Sequence, residues 1–135
     1  MSLFQLGDFT LNSGARSAWK IECDALTDQD WRALAEMVRQ LVGPYSSVEG
    51  VPRGGIKLAE SLKFHVQIGQ HPHLIVDDVL TTGGSLLRLE AKVKPGLDAV
   101  GRGVVGAVIF ARGQRPYWVK AVFQMPECFW LKPMT

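Results

Sequence analysis

Leu74, Ile75 and Val76 form a short apolar run with no polar alternation that ends at Asp77, and the glycine-bearing stretch Thr81-Thr82-Gly83-Gly84-Ser85 begins after three more residues. Beyond that stretch the apolar residues of 85–93 return at helical spacing. A buried strand, a tight turn and a helix make a βα unit, and its strand needs a parallel neighbour because the helix carries the chain back across the sheet. The segment VVGAVIFA, at 104–111, supplies such a neighbour: β-branched residues dominate it and nothing in it faces water by pattern. Alternating strands and helices of this kind predict an α/β fold, a mostly parallel sheet with helices on both faces.

The other elements follow the same logic. Thr27 and Asp30 resemble a capping box, and Trp31, Leu34, Ala35, Val38, Leu41 and Val42 repeat at i, i+3, i+4 and i+7, which predicts a helix stopped by Gly43-Pro44. A strand at 46–49, the turn GVPRGG at 50–55 and a helix at 56–62 make another βα unit. The helix at 85–93 is expected to stop at Pro95-Gly96, and 118–124 to form a last, edge strand. A single domain results, with an irregular N-terminal hood segment at 1–26 and a core at 27–135.

A chain of 135 residues is one domain long. With 47% hydrophobic residues, no apolar run near the ~20 residues of a membrane span and no signal peptide, it is expected to be cytoplasmic and to engage no membrane. Fifteen Lys and Arg against thirteen Asp and Glu give a net charge of +2, too small to argue for nucleic acid. Any anion must be bound locally. Cys23 and Cys128 have no CxxC spacing and are expected to be ordinary thiols.

Adjacent strand residues point to opposite faces, so Asp77 and Asp78 can serve one ligand only where their strand ends. That C-terminal edge is where open α/β sheets bind ligands, and two adjacent carboxylates there suit a cis-diol or a hydrated divalent ion. Thr81, Thr82, Gly83, Gly84 and Ser85 add hydroxyls and inward-turning backbone N–H groups just ahead of a helix N-terminus, a cradle for phosphate. Carboxylates for a diol beside a cradle for a phosphate describe a ribose 5-phosphate site.

The stretch LIVDDVLTTGGS (74–85) closely resembles the signature of the type I phosphoribosyltransferases, which bind 5-phosphoribosyl-1-pyrophosphate (PRPP). GVPRGG resembles that family's pyrophosphate loop, with Val51, Pro52, Arg53, Gly54 and Gly55 presenting amides and one basic side chain. FTLNSGARSAW (9–19) is similar to the N-terminal segment of orotate phosphoribosyltransferases, with Asn12 in place of the usual lysine and Lys20 and Ile21 where that family has aromatics. The resemblance implies transfer of ribose 5-phosphate from PRPP to a nucleobase, orotate or similar, with release of pyrophosphate. It implies Asp77, Asp78 and Arg53 as catalytic residues, with Asp77 and Asp78 on the ribose hydroxyls, Thr81 to Ser85 on the 5-phosphate and Arg53 on pyrophosphate. Lys20 and Arg112 would stand at the base. Magnesium would arrive mainly through PRPP, with no metal site of the protein's own, and the active form would be a homodimer.

One departure bears on function. Orotate enzymes place a long mobile lid ahead of the PRPP strand, whereas here only KFHVQIGQHPH (63–73) separates helix from strand, and a strand at 65–68 would leave a turn at 69–73. A site without a lid admits water. Two functions therefore follow: a minimal phosphoribosyltransferase of weak turnover, with Lys20 or Arg16 of a second copy in the lid's place, or a PRPP or nucleotide sensor with little or no turnover. The G-x-G-x-x-G at 101–106 precedes a strand and so is not a dinucleotide fingerprint. His71 and His73 flank Pro72 and are expected to be exposed turn residues, while Trp118, Phe123, Phe129 and Trp130 are expected in the core or a dimer contact.

Overall fold

The computed structural model describes residues 1–11 and 13–125 and the backbone of the short strand at 131–132. Cys128, Phe129 and Trp130, like Asn12, lie outside the described residues. The described residues form two sheets. One is a parallel sheet of four strands in the order β3-β4-β5-β6, comprising Ser47–Gly50, His73–Leu80, Val104–Ala111 and Val119–Gln124. Every neighbouring pair in it is parallel, with Ser47 opposite His73, His73 opposite Val104 and Gly106 opposite Val119. The last strand is at an edge, as expected.

Helices cover both faces. α1 (Asp28–Val42) and α2 (Ile56–Leu62) pack on one side, where Trp31, Leu34, Val38, Leu58 and Leu62 meet Leu74, Val76, Ala107 and Ile109. α3 (Gly84–Ala99) packs on the other, where Leu86 meets Ile75, Val108 and Val119. Residues 74, 75 and 76 alternate between the two cores because successive strand side chains alternate faces. The capping box is formed: Asp30 N–H donates to Thr27 Oγ1 at 3.1 Å and Thr27 N–H to Asp30 Oδ2 at 2.9 Å. Gly43 ends α1 at φ +72°, a left-handed conformation open to glycine.

Four expectations are corrected. The N-terminal segment is not irregular: β1 (Phe4–Thr10) and β2 (Arg16–Ile21) form an antiparallel hairpin, with β7 (Leu131–Lys132) alongside β2. A register shift between Leu6 and Phe9 breaks the alternation that would have marked β1. α3 does not stop at Pro95 but runs to Ala99, because Leu86, Leu89, Val93 and Leu97 continue one apolar stripe past the proline. The chain at 65–68 forms no strand; a turn of 3-10 helix at Lys63–His65 leads into an irregular loop. His73 is not an exposed turn residue but opens β4, 2.6 Å from Ser47 Oγ through Nδ1 and 3.1 Å from Glu49 Oε1 through Nε2.

Candidate active site

The loops after β3 and β4 meet at the carboxyl edge of the sheet and border a groove of about 1110 Å³, which the N-terminal hairpin overhangs. Asp77 and Asp78 line it. They do not stand at the end of β4, as sequence reading expected, since β4 continues to Leu80. Pairing with β3 stops at Gly50–Val76, while pairing with β5 runs on to Leu80–Ala111. The aspartates therefore sit beyond the end of one neighbour and alongside the other, open to the groove on the β3 side. Asp77 Oδ1 accepts the Asp78 N–H at 2.8 Å, and Asp78 Oδ1 accepts the Val79 N–H at 2.7 Å.

Burial raises the Asp77 pKa above the ordinary carboxylate range, and the neighbouring Asp78 charge raises it further. The sign of the stability effect follows. Below the usual carboxyl pKa both folded and unfolded states hold the proton; as pH rises the unfolded chain loses it first, so the contribution of Asp77 to stability is lost as pH climbs through the raised folded value. Asp77→Asn cannot titrate and keeps an acceptor for the Asp78 N–H. Its melting temperature, measured without ligand, is expected to gain steadily on the wild type between about pH 4 and about pH 8. A pH-independent difference between the two proteins would refute this.

The loop after β3 is built for close approach. A Cβ on Gly55 would run into the Val76 carbonyl oxygen and come within 2.8 Å of the Val51 nitrogen, and one on Gly54 would overlap both Asp78 carboxylate oxygens. The loop thus lies directly against the aspartate pair. Its Pro52–Arg53 peptide is cis, and Arg53 is exposed at the groove.

The loop after β4 turns through Gly83 at φ +83°, where a side chain would be strained even though the nearest atom, on Pro116, is 3.7 Å from the Cβ position. The turn delivers the chain into α3, with the Gly84 N–H 3.4 Å from Thr82 Oγ1. The unpaired N–H groups of the first helical turn open at that point. Arg88, one turn into α3, donates to Ser85 Oγ at 3.3 Å and lines the groove.

The hairpin closes the remaining side. Lys20 lines the groove, with its Nζ 3.2 Å from Glu22 Oε2 and 5.0 Å from the centre of the Phe9 ring. Cys23 is buried; burial, then the nearby Asp78, Glu22 and Asp24 charges, push its pKa upward. Arg112 is 1% exposed, stacks 3.7 Å from the Trp19 ring centre, and donates to Ser17 Oγ at 2.7 Å and to the Trp19 carbonyl at 3.2 Å. Burial lowers its pKa.

The site residues singled out from the sequence line one groove, Arg112 from beneath the hairpin, except Gly55, which packs behind it against Val76; Arg16, offered in place of a lid, does not line it. Sequence reasoning missed Arg88, Lys57, Glu22 and Cys23, which line it as well. The spacing Ser85 to Arg88, one helical turn, was a legible signal for the first. Glu22 and Cys23 carried none, because only the fold brings them to the same groove as Asp78.

No protein-family profile matches this chain, and no curated protein sequence does. Solved structures do. The fold is similar to that of orotate phosphoribosyltransferase from Aeropyrum pernix, with a TM-score of 0.71 and 22% identity over 90% of this chain and 88% of that one. It is also similar to Mycobacterium tuberculosis H37Rv orotate phosphoribosyltransferase in complex with inorganic phosphate, at 0.59 and 21% over 88% and 86%. A phosphoribosyltransferase from Corynebacterium diphtheriae gives 0.61 and 18% over 81% and 84%. The chain has the type I phosphoribosyltransferase fold.

Proposed function

We propose that this chain binds PRPP and transfers its ribose 5-phosphate to a nucleobase, releasing pyrophosphate. The observation that carries the reading is the close approach of the Asp78 carboxylate to Gly54 in the loop after β3, with the glycine loop after β4 lining the same groove. A ligand spanning that arrangement needs two phosphate-bearing ends and a diol between them. PRPP has all three.

In this reading Thr81, Thr82, Gly83, Gly84 and Ser85 hold the 5-phosphate through backbone N–H groups and hydroxyls, with the Arg88 charge beside them. Asp77 and Asp78 accept hydrogen bonds from the ribose hydroxyls. The loop Val51, Pro52, Arg53, Gly54 and Gly55 receives the pyrophosphate, and Lys20 and Arg112 bound the end left for the base. As the bond to pyrophosphate stretches, the ribose takes on oxocarbenium character and the departing oxygens gain charge. Fixed donors already in place stabilise that charge without reorganising.

Magnesium fits this site as a companion of the substrate. Among the described residues no three His, Cys, Asp or Glu side chains gather to hold a metal. An ion would take its remaining oxygens from pyrophosphate and water, as magnesium commonly does, and would neutralise the leaving group when bound. A second copy of the chain belongs to the same reading. No helix among the described residues is long and apolar enough to cross a membrane.

The test is ligand-dependent stability. PRPP with magnesium is expected to raise the melting temperature, and Asp78→Asn to weaken binding about 10- to 100-fold by removing charge-assisted hydrogen bonds. An unchanged melting curve in millimolar PRPP and magnesium would overturn the reading.

The shortness of the connection from the 3-10 turn at Lys63–His65 to β4 favours a second reading, a PRPP or nucleotide sensor with little or no turnover. Pyrophosphate release with a panel of bases separates the two, because a sensor gains stability from PRPP without releasing product.

A further inference from the structure

A base attacking the anomeric carbon has to lie beside the ribose held at Asp77 and Asp78, and two walls of the groove there belong to the phosphate loops. The remaining wall includes the segment 20–24, in which Cys23 is buried close enough to Asp78 to feel its charge. Its chemistry is unlike that of an anion site. The Lys20 ammonium is already engaged, 3.2 Å from Glu22 Oε2 and over the Phe9 ring at 5.0 Å. The other Glu22 oxygen accepts the Asp24 N–H at 3.4 Å, and the exposed Asp24 adds a second carboxylate to the same wall.

Arg112 does not redress the balance for a ligand. Its two terminal nitrogens donate to Ser17 and Trp19, and its Nε is buried. The raised Cys23 thiol sits among the Asp78, Glu22 and Asp24 carboxylates, which agrees with a negative field at this point.

Resting on the reading above, we propose that the acceptor end of the groove selects a neutral nucleobase carrying amino or ring N–H donors and disfavours a carboxylated one. Glu22 and Asp24 accept from such donors, Lys20 serves a ring carbonyl or nitrogen from its place beside Glu22, and Leu11 and Ile21 cover the ring. A carboxylate would face two like charges, and it would have to break the Lys20–Glu22 pair to find a partner.

Nucleoside 5′-monophosphates test this without requiring turnover, because they share the ribose 5-phosphate and differ only in the base. Titration of the full chain with ribose 5-phosphate, AMP, GMP, CMP and orotidine 5′-monophosphate is expected to show all five binding. At least one amino-bearing nucleotide should bind at least about tenfold more tightly than the carboxylated one. Glu22→Gln removes one repelling charge and frees Lys20, so it should shrink that ratio about tenfold. Ribose 5-phosphate binding by the variant reports that it is folded. Preference of the wild type for orotidine 5′-monophosphate, or a ratio unmoved in folded Glu22→Gln, overturns the proposal while leaving the phosphoribosyl site standing. Failure of ribose 5-phosphate to bind the wild type removes that site and the proposal with it.

Discussion

Gly54→Ala is expected to leave the protein folded and to abolish its stabilisation by PRPP and magnesium. The added methyl would occupy the space of the Asp78 carboxylate. That carboxylate is the far end of a side chain, so it can swing aside at an overpacking cost of about 1–3 kcal/mol or less. Once displaced it no longer meets the ribose hydroxyls, and the loop no longer lies against the diol site. A ligand at a hundred times its dissociation constant stabilises by about 2.7 kcal/mol, and the loss of that increment is the signal.

Gly55→Ala is the contrasting case. Its methyl would meet the Val76 carbonyl and the Val51 backbone, which have no free end to move, so the folded state itself should weaken. Thermal melts of both variants, with and without PRPP and magnesium, decide the matter. Full PRPP stabilisation in Gly54→Ala would show that the contact between the loop and Asp78 does not shape the site.

The contrast also marks how far the sequence alone could reach. The glycines of GVPRGG were legible as a loop that lets backbone approach something, because a glycine turn between strand and helix has that use on any sheet. What they approach was not legible, since Asp78 is distant in the chain and only the β3–β4 register brings it there. Elements set by local pattern were readable to their ends: α2 and β5 span the expected residues, and α1 begins at the expected capping box.

Elements set by partners were not. β4 outlasts the aspartates because β5 pairs with it to Leu80, and no property of the residues 78–80 announces that. His73 has the composition of a turn, yet Ser47 and Glu49 on the neighbouring strand hold it within the sheet. Lys20 was readable as a basic group at the base end, but its pairing with Glu22, which changes what that end can recognise, is a matter of side-chain geometry in a hairpin whose first strand is masked by a register shift.

Arg112→Ala is expected to cost about 3 kcal/mol of stability, through a large cavity and the loss of its charge-assisted hydrogen bonds. The sequence offered Arg112 either as a solvated loop residue or as a contact to the base. The structure makes it a strut: it leaves the end of β5, passes under the hairpin, stacks on Trp19 and donates to the β2 residues Ser17 and Trp19. No acid is paired with it among the described residues, so its charge is held by these neutral acceptors and the indole face. Arg112→Lys should not restore stability, because an ammonium can neither fork between two acceptors nor stack as a plane.

Loss of the strut should free the hairpin before the parallel sheet. Hydrogen exchange in Arg112→Ala is therefore expected to accelerate in β1 and β2 while β4 and β5 stay protected. Ribose 5-phosphate, held by the loops after β3 and β4, should still bind, whereas discrimination among bases should fall because the wall that carries Lys20, Glu22 and Asp24 is no longer fixed. Uniform loss of protection across both sheets, or an Arg112→Ala protein as stable as the wild type, would show that the hairpin is held by contacts other than this arginine.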